Sequence, residues 1–224
     1  MITSSPARGS QSGASKLKWL RCLALPVLLA FTGPQPANAQ AGQEFTAEQL
    51  LNDPNDPVDG NPKGDITIAV FTDYNCPYCK KAKPDLERVV REDGNIRLVY
   101  KEWPVLSEAS AVGSKVALAA RYQGKYREAH DAMMALPGGR VEAQQMVEAV
   151  REAGIDMEKL DADLKSHDAE ITAILRTIHA QGDYMGFQST PSYIIGKYRV
   201  PTALNYEAFK KAVADARAFA KQQR

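Results

Sequence analysis

The chain has 224 residues, with 28 Lys+Arg against 27 Asp+Glu, 44% hydrophobic residues and a mean hydropathy of −0.36. That length and balance fit one domain with a substantial core. No apolar run approaches the roughly 20 residues needed to span a bilayer, which excludes a polytopic membrane protein, and the near-zero charge gives no electrostatic reason to expect a nucleic-acid partner.

Residues 1–39 contain Arg8, Lys16, Lys18 and Arg21 and no acidic residue. A ten-residue apolar run, Cys22 to Phe31, follows Arg21, and the stretch ends in Ala37-Asn38-Ala39. A positive start, a short apolar run and an A-x-A end predict a secretory signal peptide cleaved after Ala39. Arg21 stands where a lipoprotein signal needs a small residue, so no lipid anchor is expected. Cleavage would remove four positive charges and Cys22, leaving 24 Lys+Arg against 27 Asp+Glu and the pair Cys76 and Cys79. The expected location is the periplasm, an oxidising compartment.

Residues 40–64, with NDPNDPVDGNPKG, read as an N-terminal arm outside the core, with a short helical possibility at Thr46–Asn52. The domain proper is expected over residues 65–224. DITIAVFTD, Asp65 to Asp73, reads as a buried strand. Ala82, Leu86, Val89 and Val90 recur at helical spacing, predicting an amphipathic helix from about Cys76 to Glu92 that Pro84 should kink. Asp93-Gly94-Asn95 ends it, and NIRLVYKEW gives a second strand, so the unit reads β-α-β.

Residues 107–186 carry no strand pattern. Helices are marked by Ala109 to Ala119, Tyr126 to Leu136, Ala143 to Val150, Met157 to Leu164 and Ile171 to Ile178, with breaks at Pro137-Gly138-Gly139 and Gly154. Ser192 to Val200 reads as a hairpin turning at Gly196-Lys197, and about Leu204 to Lys221 as a final helix. The order β-α-β, helical block, β-β-α predicts a small α/β domain with a helical insertion.

The chemistry centres on Cys76-Pro77-Tyr78-Cys79. Two cysteines at this spacing can close into a disulfide with little backbone movement. At a helix N-terminus the free N–H groups and the dipole favour a thiolate. Cys76 is therefore expected to be the exposed nucleophile and Cys79, one turn inside, the resolving thiol. Pro77 suits the first helical turn. Zinc is disfavoured, because no further cysteine remains and His130, His167 and His179 lack ligand spacing. Copper(I) on the two thiolates is chemically reasonable, while His130, Met133 and Met134 read as core or surface filler. Lys101, Glu102 and Asp73, at strand ends, read as solvated charges able to tune the thiolate.

CPYC after DITIAVFTD, Pro84 five residues beyond Cys79, and Gly186 to Tyr193 with Thr190-Pro191 before the hairpin together resemble the DsbA family of thioredoxin-fold thiol:disulfide oxidoreductases, from about Asp65 to the C-terminus. The resemblance implies a thioredoxin fold with an inserted helical subdomain. It also implies a cis Thr190–Pro191 peptide facing the cysteines, with Thr190 and Pro191 binding substrate backbone and Pro77 and Tyr78 tuning the redox pair. The chain departs from DsbA itself in having Tyr78 for a histidine and Thr190 for a valine, the latter as in isomerase and suppressor-of-copper-sensitivity members.

The expected activity is exchange of the Cys76–Cys79 disulfide with reduced or misoxidised exported proteins, as a disulfide-forming oxidase recycled by a membrane redox partner. No cofactor beyond that disulfide and no resident metal are expected. An isomerase or reductase kept reduced by a membrane electron donor, and a copper-tolerance protein, are the alternatives. An arm this short and Pro/Gly-rich favours a monomer.

Overall fold

A computed structural model describes residues 44–223; the expected signal peptide, with Cys22, lies outside them. Five strands, numbered in chain order from β1 (Val58–Gly60) through β2 (Ile66–Thr72), β3 (Ile96–Glu102) and β4 (Ser192–Ile195) to β5 (Tyr198–Val200), form one mixed sheet in the order β1-β3-β2-β4-β5. Its centre is β2 (Ile66–Thr72) beside β3 (Ile96–Glu102), parallel, with Val70 opposite Tyr100. On the other side of β2 run β4 (Ser192–Ile195) and β5 (Tyr198–Val200), both antiparallel. These elements and the helix α2 (Pro77–Asp93) stand where the hydrophobic periodicity puts them. Gly94 closes α2 in the left-handed region at φ +68°, a conformation cheap for glycine.

Within the expected arm of residues 40–64, the described part, 44–64, differs from expectation. Thr46 caps a short helix α1 (Ala47–Leu51) through a capping box with Gln49. Val58–Gly60 then forms β1, antiparallel to β3 with Val58 opposite Val99. Phe45, Leu50 and Asp56 are buried. The stretch is therefore part of the domain and supplies an edge strand. Three residues flanked by Pro, Asp and Gly leave too short a pattern to read as a strand.

The helical insertion comprises α3 (Glu108–Ala120), α4 (Tyr126–Ala135), α5 (Ala143–Glu152), α6 (Met157–Ser166) and α7 (Asp168–Tyr184), and the chain ends in α8 (Tyr206–Gln222). Alternation along the strands sorts the two sheet faces. Tyr193 packs edge-on against Phe209 of α8, and Tyr100 against Tyr126 and His130 of α4, on the face that α2 also covers. On the opposite face Arg97 donates to Leu51 O and Lys101 to Gln181 of α7, while Phe71, Trp103 and Phe187 pack together. With both faces covered, β2 and β3 are buried almost throughout.

Candidate functional site

The site forms where β2 ends and α2 begins. Cys76 is the N-cap of α2, in extended backbone, and its Sγ accepts the Cys79 N–H at 3.2 Å. Pro77 takes the first helical position, where a missing N–H costs nothing. Cys79 is buried one turn inside, and both thiols are free. The Thr190–Pro191 peptide is cis, and Thr190 O accepts the Cys76 thiol at 3.1 Å. Cys76, Cys79, Thr190 and Pro191, predicted from sequence, are thus brought together.

Two expectations change. Cys76 is only 2% exposed, because the Thr190 loop lies against its sulfur. Tyr78, by contrast, is 65% exposed; its contribution to the Cys76 sulfur comes through its backbone N–H.

The two thiols are driven apart in acidity. Hydrogen bonding from the Cys79 thiol lowers the Cys76 pKa to about 6, with further help from the N–H groups of Cys79 and Tyr78, against the opposing effect of burial. Burial, followed by the neighbouring Cys76, pushes the Cys79 thiol far up. The Thr190 hydroxyl is buried with no hydrogen-bond partner among the described residues; Thr190 meets Cys76 through its backbone O. At neutral pH the arrangement holds one thiolate and one thiol, the division of labour that disulfide exchange requires.

The three strand-end charges are not solvated. Asp73 Oδ1 accepts the Asn75 N–H at 2.7 Å and the Ser110 hydroxyl at 2.6 Å, and Oδ2 accepts the N–H groups of Val105 and Leu106. This fixes the turn that presents Cys76. Glu102 and Lys101, adjacent on β3, are fully buried on opposite faces. Glu102 Oε1 accepts the Tyr74 and Tyr126 hydroxyls at 2.6 and 2.7 Å, and Oε2 the Ser114 hydroxyl at 2.8 Å. Lys101 pairs with Asp56 and donates to Gln181 at 2.9 Å. Their partners lie 12 to 80 residues away in the chain, so no local pattern announced them. His130 and Met133 are buried in the core and Met134 nearly so, in line with the sequence reading.

The insertion also reaches the motif. Lys80, half-buried on α2, donates to Met133 O at 3.0 Å and Leu136 O at 2.8 Å, occupying carbonyls at the end of α4. Asn75 brackets Val141, accepting its N–H at 2.8 Å and donating to its O at 3.1 Å. Gly138 lies so close that an added Cβ would stand 2.9 Å from Pro77 Cβ. A lysine directly after CPYC was the one sequence signal for this link.

A family model described as Thioredoxin matches residues 52–215. A thioredoxin-like oxidoreductase from Silicibacter pomeroyi is 40% identical at a TM-score of 0.73, over 78% of this chain and 99% of that one. The thiol-disulfide exchange protein α-DsbA2 of Wolbachia pipientis is 26% identical at 0.69, over 75% and 90%. The catalytic domain of Proteus mirabilis ScsC is 26% identical at 0.67, over 76% and 94%. Among curated proteins, Na(+)/H(+) antiporter NhaA 1 of Salinispora arenicola is 29% identical over 168 residues, 72% of this chain. The chain spans about a quarter to a third of the length of the first two curated relatives it matches, 24% and 32%. Among the described residues no helix is long and apolar enough to cross a membrane. With CPYC at the head of α2 and the Thr190–Pro191 loop against it, the chain belongs to the DsbA-like thioredoxin-fold family and is a thiol–disulfide oxidoreductase.

Proposed function

We propose that this protein is exported to the periplasm by residues 1–39 and works there, as a monomer, as a disulfide-forming oxidase. A substrate thiolate attacks Cys76 Sγ of the Cys76–Cys79 disulfide, and Cys79 leaves as a thiolate that takes up a proton. A second substrate thiolate attacks the substrate sulfur of the mixed disulfide, releasing the oxidised product and Cys76 as a thiolate. Thr190 and Pro191 hold the substrate backbone, Pro77 and Tyr78 shape the helix end around the Cys76 sulfur, and a membrane redox partner reoxidises the pair. No cofactor or metal beyond the cysteine pair enters the cycle.

The observation that carries this reading is the Cys76 sulfur at the N-cap of α2, where it accepts the Cys79 N–H at 3.2 Å; its pKa is correspondingly lowered to about 6. A thiolate stabilised in the reduced protein makes the disulfide a better oxidant. The test is refolding of a reduced, unfolded disulfide protein with the oxidised protein present. Disulfide formation should accelerate, Cys76→Ser should abolish the effect, and alkylation of Cys76 should fall off below about pH 6. No acceleration, with exchange retained in Cys76→Ser, overturns the proposal. The reduction potential against a glutathione series separates this oxidase from a reductase: a strongly oxidising value supports it, and a value near thioredoxin's does not.

A further inference from the structure

Behind Cys79 lies a cavity of about 20 Å³ lined by Cys79, Thr72, Lys83, Tyr100, His130, Tyr193 and Pro191 among others. That volume admits one water molecule. Burial keeps the Cys79 thiol protonated at neutral pH, yet only a thiolate attacks a disulfide. A resolving Cys79 therefore needs a proton acceptor within reach.

The cavity wall offers one. Lys83 is an ammonium held by Glu87 and by Asp131 at 2.8 Å, so it has no lone pair to give. Burial pushes the phenols of Tyr100 and Tyr193 up, so they remain neutral, and Thr72 carries only a hydroxyl. His130 remains, and its surroundings fix its tautomer. The single phenolic protons of Tyr74 and Tyr126 are both given to Glu102 Oε1. Their oxygen lone pairs therefore face His130 Nδ1, at 3.0 and 3.4 Å, and Nδ1 must carry the hydrogen. Nε2 is left as the nitrogen with the free lone pair.

We propose that His130, supplied by the helical insertion, relays the Cys79 proton through one water in this cavity. When a mixed disulfide at Cys76 is closed, Nε2 takes the proton, the Cys79 thiolate attacks Cys76 Sγ, the Cys76–Cys79 bond forms, and the other sulfur leaves as a thiolate. In the oxidase direction the imidazolium returns the proton to Cys79 as it is released. The groups facing the relay are Tyr74 ahead of α2, Cys79 and Lys83 on α2, Tyr100 and Glu102 on β3, Tyr126 on α4 itself, and Tyr193 on β4. This inference rests on the proposed resolving role of Cys79.

The probe is oxidised glutathione added to the reduced protein, with quenched-flow mass analysis separating mixed-disulfide formation at Cys76 from closure by Cys79. His130→Asn retains an amide N–H toward Tyr74 and removes the base. Mixed-disulfide formation should be unchanged, whereas closure should slow about 100-fold near neutral pH. Closure in the variant should also climb about tenfold per pH unit, because hydroxide alone remains to take the proton, while the wild type rises less steeply. An Asn variant that closes as fast as the wild type overturns the relay. So does a wild-type closure rate that itself climbs tenfold per pH unit, a measurement independent of whether the variant folds. A wild type that never passes through a Cys76 mixed disulfide overturns the Cys76–Cys79 roles as well, which keeps the two failures distinct.

Discussion

Lys101 and Glu102 are neighbours on one strand, equally buried, and held in opposite ways. Lys101 turns to the face covered by α1 and α7 and meets an opposite charge, Asp56, brought in by the N-terminal stretch. Glu102 turns to the face covered by α2 and the insertion and meets neutral hydroxyls from Tyr74, Tyr126 and Ser114. The first arrangement fastens the edge of the domain. The second connects the strand to the wall behind Cys79. Burial alone therefore does not reveal a charge's role; the chemistry of its partners does.

The largest effect should come from breaking the ion pair on one side. Lys101→Met strands Asp56 without its cation and should cost about 3–5 kcal/mol. A Lys101→Met, Asp56→Leu double variant should recover most of that in denaturant melts. If the double variant is no better than the single, the pair contributes more than mutual neutralisation.

Next in size is a pH effect confined to the Lys101 side. Burial raises Asp56 from 3.8 to about 6, outweighing the lowering by Lys101. Its protonated form is thus favoured in the folded state. The stability that Asp56 contributes is fully present below about pH 4 and is lost as pH rises through about 6. The stability difference between wild type and Asp56→Asn should therefore fall by up to about 3 kcal/mol between pH 4 and pH 6 and then level off. A difference that grows over that interval would contradict the burial argument. The smallest effect belongs to the hydroxyl cage: Tyr126→Phe removes one neutral donor and should cost about 1 kcal/mol, with Tyr74 and Ser114 still holding Glu102. A loss matching that of Lys101→Met would erase the distinction between the two sides.

Much of this was legible in the residues themselves. The strand before CPYC, the amphipathic α2, the hairpin at Gly196-Lys197 and the helical character of residues 107–186 all follow from hydrophobic period and turn residues. The edge strand Val58–Gly60 was not, because it has three residues and its ladder partner lies about forty positions on. The burial of Lys101 and Glu102 was hidden for a related reason. Alternation in NIRLVYKEW places Glu102 with Ile96, Leu98 and Tyr100, and Lys101 with Arg97 and Val99, but only the sheet's two coverings decide whether those faces meet solvent. Cys76 was expected to be exposed because a nucleophile needs access, and the loop that covers it comes from 114 residues away.

Surface connections ordinarily absorb changes in length with little consequence. The stretch 136–141 between α4 and α5 has no such freedom. Leu136 is tethered to Lys80, Gly138 rests on Pro77, and Val141 is bracketed by Asn75. Three successive points of this connection are registered against the residues that flank Cys76. Its length is thereby a property of the redox helix as much as of the insertion. A residue added or removed there would move the frame around the nucleophile, so tags and grafted segments belong elsewhere in the chain.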